Sequence, residues 1–295
     1  MGYSKAFFSV KPSTSPLILE LIDGNTMAFD LDRIQKDIRE LREFLKRAPK
    51  QPTPEQIHSL RTHTRRFEAS LQALSIDSMP NERQLLRNLA KLFVRAGKVR
   101  DLDVLTGYLA EMRMGDENDC RVQLLEYLGA EHARNIQRLR SFAVKYGTML
   151  RHRLKRTATY LERLSAADCA VPEDSMLSDI RLQREVAAPG RLTRNNLHSY
   201  RLKVKEWRYM LQVKNDPANR QLIEALGGMK DAIGEWHDWQ KLLTLASEHL
   251  PHGPECKLVR LFQKTTGHEL KHALSVANRG RKYIRRSLTS IKLRS

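Results

Sequence analysis

His58, Arg61 and Arg65 fall at intervals of three and four residues, and His198, Arg201, Lys205 and Arg208 repeat that spacing 140 residues further on. On a helix turning 100° per residue, His58, Arg61, Thr62 and Arg65 lie within about 100° of one another, and His198, Arg201, Lys205 and Arg208 within about 80°, with Tyr209 at the border. Such a stripe suits an oxyanion. Arginine offers a planar fork of parallel donors to phosphate oxygens, lysine a point charge, and histidine a donor whose charge follows pH. A lone histidine is more often a partly buried donor to a carbonyl. The repeat in a second helix argues for a site, and two such stripes could line one shared basic channel.

The carboxylates fit catalysis poorly. Asp101 and Asp103 stand two apart, hence on different helix faces, so they are expected to hold neighbouring arginines. The stripes hold no acidic cluster, phosphoryl transfer relies on carboxylate-held metal ions, and no GxxxxGK[ST] loop occurs. His58 and His63 are five apart and His198 stands alone on its helix, so no i,i+4 metal pair forms. No catalytic residue, metal or cofactor is expected.

Two more stretches are basic and free of acid. Between Glu131 and Glu162 stand Arg134, Arg138, Arg140, Lys145, Arg151, Arg153, Lys155 and Arg156, of which Arg134, Arg138, Lys145 and Arg156 share a face with His152. The second stretch follows Glu269 and includes Arg279, Arg281, Lys282, Arg285 and Arg286. Ordinary solvated faces mix both signs through i,i+4 pairs, and these do not.

Elements that could position these groups are helical. Gly and Pro number only 14 and 11 in 295 residues, so long stretches run without breakers. Leu31, Ile34, Ile38, Leu41 and Leu45 form an apolar stripe. A second helix is expected from Glu55 to Ala73, with Thr53 as N-cap and Pro54 at its start. A third should follow Pro80 to about Arg95, with further helices over 98–112 and 119–164. Leu17 to Asn25 reads as a short hairpin or a loose leader. The halves share a second landmark: Gly97-Lys98-Val99-Arg100-Asp101 against Gly234-Glu235-Trp236-His237-Asp238, offset by 137 residues. Two landmarks in the same order at nearly the same offset point to a duplicated helical bundle. The expected division is an extension over 1–30, a first bundle over 31–165, a linker over 166–190 carrying a short helix at 175–187, a second bundle over 191–278 and a basic tail over 279–295.

The balance of 52 Lys and Arg against 34 Asp and Glu leaves +18, a self-repelling excess that calls for an anionic partner: nucleic acid, acidic lipid or a phosphate polymer. Three scattered cysteines, the absence of a secretory pattern and no run of 18 apolar residues point to a cytoplasmic protein with free thiols and no membrane span.

His58-x-x-Arg61-x-x-x-Arg65-Arg66 with Gly97 to Leu105, and His198-x-x-Arg201-x-x-x-Lys205-x-x-Arg208-Tyr209 with Gly234 to Asp238, resemble the CHAD family, the conserved histidine α-helical domain. The likeness covers about residues 30 to 275. It implies an all-α fold of two pseudo-twofold-related four-helix bundles around a basic central cavity, which binds inorganic polyphosphate without converting it. By position, His58, Arg61, Arg65, Arg66, His198, Arg201, Lys205 and Arg208 would line the cavity. The basic stretch adds Arg134, Arg138, Lys145 and Lys155 as polyphosphate-binding candidates. The sequence departs from the pattern at Glu206, opposite Arg66, and at Trp236 and His237. Polyphosphate granules are the association this family reading suggests.

Three alternatives compete with that reading. A nucleic-acid binder is supported equally by charge, and weak nucleic-acid binding is compatible with the leading reading, but no helix-turn-helix or aromatic-bearing sheet signature appears. A phosphoanhydride-processing enzyme could use His58 or His198 as nucleophile. A peripheral membrane protein could use Ile284, Leu288 and Ile291 beside the C-terminal bases.

Overall fold

The computed structural model describes residues 31–112, 118–166, 181–187, 190–214, 216–250 and 255–292. The expected hairpin at 17–25 and the start of the helix expected at 175 lie outside them. Among the described residues every regular element is helical: α1 (Leu31–Arg47), α2 (Pro54–Ala73), α3 (Pro80–Glu111), α4 (Asn118–Ala166), α5 (181–187), α6 (Arg194–Lys214), α7 (Arg220–His249) and α8 (Lys257–Lys292).

The starts of α2 and α3 follow from local chemistry. Thr53 caps α2 by accepting from the Gln56 backbone N–H at 3.3 Å, while the Gln56 side chain accepts from the Thr53 N–H at 3.0 Å, and Pro54 occupies the first turn, where no donor is needed. Pro80 does the same for α3.

Helices α1 to α4 form a ring in which α1 touches α2 and α4, and α3 touches α2 and α4. Ile34, Ile38, Leu41 and Leu45 of α1 meet Ile57, Leu60, Phe67 and Leu71 of α2 in its core, with Leu85, Leu89, Leu92 and Leu150 from the other two. A buried polar pair ties α1 to α2: Asp37 lies 2.5 Å from His63 Nδ1. In the second half α6, α7 and α8 pack with α5, whose Leu182 and Val186 enter a core containing Trp207 and Trp236. A third core joins the far ends of α3, α4, α7 and α8 through Leu105, Leu128, Leu242 and Phe262. The halves also meet directly where α2 packs on α6 and α3 on α7.

Three boundaries differ from those expected. The helices predicted on either side of Gly97 are one 32-residue α3, because Gly97 sits mid-helix without breaking it. The segment assigned to the linker includes α5, whose apolar residues belong to the second core; Tyr200 also donates to the Val186 carbonyl at 3.1 Å. Residues 279–292 are no separate tail: α8 continues through them, and Ile284 is buried beside Ala273 and Ala277. Burial of Ile284 also takes away part of the apolar face that a membrane-lying helix would need. No helix among the described residues is long and apolar enough to cross a membrane.

Candidate functional site

The α2–α6 contact is the point where the two basic stripes meet. Ala69 and Ala73 of α2 pack against Tyr209 of α6, small residues that let the second helix close on the first. Helix α3 packs on α2 and α7 on α6, and α3 and α7 touch each other.

Each half positions one arginine in the same way. Arg61 donates through Nη1 to the Phe93 carbonyl at 3.1 Å, crossing α3 at Gly97, where any Cβ would overlap the guanidinium. Arg201 donates through Nε to the Lys230 carbonyl at 3.1 Å and crosses α7 at Gly234, where a Cβ would stand 2.7 Å from Nη2. Phe93 precedes Gly97 by four residues, as Lys230 precedes Gly234. The two glycines singled out as repeat landmarks are therefore the passages for the two arginines. Gly227 differs: a Cβ there would stand 3.5 Å from Arg208 Nε, an ordinary contact.

Phe93 gathers the cations. The guanidinium carbons of Arg61 and Arg65 lie 4.3 and 4.2 Å from its ring centroid, and Lys205 Nζ reaches from the other half to 5.8 Å. Lys205 is also 5.9 Å from the Tyr209 ring. Arg65 donates to Glu68 at 2.6 Å, so its charge is compensated on its own helix. Lys205 has no ion pair with a carboxylate among the described residues. Burial first, then Arg61, Arg65, Arg201 and Lys230, pull its pKa down to about 7. Burial likewise holds Arg61 below the ordinary arginine range, against the opposing pull of Asp101.

The histidines flank this cluster. His58 is largely exposed and its Nε2 is 3.5 Å from Thr62 Oγ1. What burial it has, then Arg100, Lys230, Arg61 and Arg66, keep it below the usual histidine value. His198 is half-buried, its ring centroid 4.3 Å from that of His237, and its Nδ1 is buried without a hydrogen-bond partner. Burial lowers its pKa first, helped by Arg201 and Lys241. His237 is pulled to about 4 by burial, Lys241, His198 and Arg201. Arg66 and Arg208 also keep a buried Nε with no partner. Glu206, the departure opposite Arg66, is exposed.

The acids do not all serve as expected. Asp101 accepts from Lys241 at 2.6 Å, which bridges α3 to α7. Asp103 pairs with His132 of α4 at 2.8 Å. Neither holds an arginine by a described hydrogen bond. Asp238 is pushed up to about 6, chiefly by burial, with Arg201 opposing and Asp101 reinforcing.

Arg134, Arg138, Lys145 and Lys155 are not brought to the seam. All four are exposed on α4, which packs on α1 and α3, diagonally across the ring from α2. Sequence reasoning missed Phe93, Lys230 and Lys241. The signal for the first two was their shared place, four residues before each landmark glycine. Among the described residues no group of three or more His, Cys, Asp or Glu is placed to hold a metal. A crevice between α1 and α4, lined by Phe44, Pro52, Ile136 and Ala143, is largely apolar and lies away from the seam.

Fold and site thus define an all-helical protein with a cation cluster where its two halves meet. The chain belongs to the CHAD domain family, whose model matches residues 32–247. Its fold is similar to the crystal structure of the CHAD domain from the plant Ricinus communis, at a TM-score of 0.59 and 15% identity over 85% of this chain and 90% of that one. PptA from Streptomyces chartreusis is similar at a TM-score of 0.54 and 15% identity, over 86% of this chain and 99% of that one. No curated protein matches the sequence.

Proposed function

We propose that this protein binds inorganic polyphosphate at the α2–α6 seam and leaves it chemically unchanged, its two halves acting as pseudo-symmetric repeats. The observation that carries this reading is Lys205 Nζ, 5.8 Å from the ring that already carries Arg61 and Arg65, with no carboxylate paired to it among the described residues. Burying a cation among cations is unfavourable, and a ligand supplying several adjacent negative charges relieves it. A chain of phosphates does so, with arginine forks and lysine points at hand for its oxygens. Membership of the CHAD domain family supports the same ligand.

Binding without turnover fits the carboxylates near the cluster. Asp101 is engaged with Lys241 and Asp103 with His132, while Asp238, beside Arg201, is half-buried. With aromatics at 6% of the chain, stacking platforms for nucleobases are scarce, which favours polyphosphate over single-stranded nucleic acid. The same reading places the protein in the cytoplasm, at polyphosphate granules.

Calorimetry at physiological salt, with long-chain polyphosphate, pyrophosphate, tRNA and duplex DNA and a parallel assay for released phosphate, tests the ligand class. Tight polyphosphate binding that nucleic acids fail to compete away, with no phosphate released, is the expected result. Equal competition by tRNA or DNA would make the protein a general basic binder, and released phosphate would make it an enzyme.

A further inference from the structure

Lys205 differs from the lysines near it on α6 and α7. Lys203, Lys230 and Lys241 each hold a carboxylate: Glu185 at 3.0 Å, Asp231 at 2.6 Å and Asp101 at 2.6 Å. Such a partner favours the protonated ammonium, which has no lone pair to donate. Lys205 has no carboxylate partner among the described residues. Its side chain is half-buried, with Nζ 5.8 Å from the centre of the Phe93 ring and 5.9 Å from that of Tyr209. Its charged neighbours are cations, and two of them, Arg61 and Arg65, stand over the same Phe93 ring. A lysine that is desolvated beside other cations is held partly as the free amine, and the free amine is a nucleophile. Burial, followed by Arg61, Arg65, Arg201 and Lys230, brings Lys205 to that state near neutral pH.

The guanidiniums supply what a nucleophile alone lacks, a means of bringing an electrophile to it. Arg61 spends Nη1 on the Phe93 carbonyl and Arg65 spends Nη1 on Glu68, while Arg65 Nε is buried with no partner. Each fork keeps donors for a phosphate dianion. A phosphate that carries an acyl group has its carbonyl carbon one oxygen away from phosphorus, so holding the phosphate at the arginines delivers that carbon to the cluster.

We propose that Lys205 is an acylation site, at which an acyl phosphate docks by its phosphate on Arg61 and Arg65 and passes its acyl group to Nζ. The Nζ lone pair forms the N–C bond. The C–O bond to phosphate breaks, and orthophosphate leaves with the electron pair and takes up the proton that Nζ gives up. The products are an amide and inorganic phosphate. The amide carries no charge, so the seam loses a cation and its hold on a polyanion weakens. The proposal rests on the reading of the seam as a phosphate site, and it makes that site responsive to acyl phosphates.

The test treats the full chain at neutral pH with acetyl phosphate and, separately, with the succinimidyl ester of acetic acid, an acyl donor without phosphate. Mass spectrometry follows acetylation at each lysine. With acetyl phosphate, Lys205 should react about tenfold faster or more than the exposed Lys36 and Lys155, and excess orthophosphate should remove that lead. With the ester the lead should shrink several-fold. A Lys205 rate no higher than those of Lys36 and Lys155, or an equal lead with both donors, would overturn the proposal. Long-chain polyphosphate as the competitor separates the two claims. If orthophosphate protects Lys205 and polyphosphate does not, the acylation site stands and the polyphosphate reading fails. If polyphosphate binds at the seam and acetyl phosphate gives Lys205 no lead, the polyphosphate reading stands and the acylation site fails.

Discussion

The Arg61 guanidinium fills the space that a side chain at Gly97 would need. This close approach explains a glycine in the middle of a 32-residue helix, where alanine would be preferred by about 1 kcal/mol. Gly97→Ala should therefore leave thermal stability within about 1 kcal/mol of the parent, since the guanidinium end can swing aside. Polyphosphate affinity should fall about tenfold, because Arg61 loses its hold on the Phe93 carbonyl. Gly234→Ala should act in the same way through Arg201. Melting curves paired with titrations check both. A loss of stability with affinity intact would mean that these glycines serve packing alone.

Lys205 makes binding depend on pH. With a pKa of about 7 it is mostly neutral at pH 8 and charged at pH 6, and a polyanion favours the charged form. Affinity should rise as pH falls across that interval, with proton uptake visible as a dependence of the binding heat on the buffer. His58 and His198, both lowered, gain charge only at the acid end, and Asp238 loses its charge below about 6, so all three act in the same direction. Stability runs the other way. Between about 7 and 10.5 the unfolded chain holds the Lys205 proton and the folded chain does not, so folding stability from this group rises with pH over that window. Lys205→Met should raise the melting temperature at pH 7, lower polyphosphate affinity and flatten the pH profile between 7 and 8.

Asp101 joins the halves and also opposes the ligand. Its bridge to Lys241 is partly exposed on both sides, so Asp101→Asn should cost less than about 1 kcal/mol of stability. Removing a negative charge beside the cation cluster should at the same time tighten polyphosphate binding. Tighter binding with a slightly lower melting temperature is the expected pair of results, and weaker binding would assign Asp101 to ligand positioning.

Much of this arrangement was legible in the sequence because it rests on spacing. The His58–Arg61–Arg65 and His198–Arg201–Lys205 stripes are helical periodicities, and the glycine landmarks recur because each must pass an arginine. Phe93 was not legible. A phenylalanine in the run Leu92-Phe93-Val94 reads as core, and only the folded chain shows three cations gathered at its ring. The bases of α4 read as one more strip of the same site, since periodicity gives a face and not the neighbour it meets. The continuity of α8 past residue 278 was hidden by its composition: bases dominate there, while burial of Ile284 is decided by the second core.

The central claim is that a defined cluster at the seam, rather than diffuse charge, binds the ligand. Titration of long-chain polyphosphate into Arg61→Ala/Arg201→Ala, beside a control with the exposed Arg279 and Lys282 changed to Ala, tests this at equal net charge. Hydrogen bonds to charged groups contribute about 1.5–3 kcal/mol each, so the seam pair should lose about a hundredfold in affinity or more, and the control only a few-fold. Equal losses from the two pairs would contradict the account and leave a basic surface without a site.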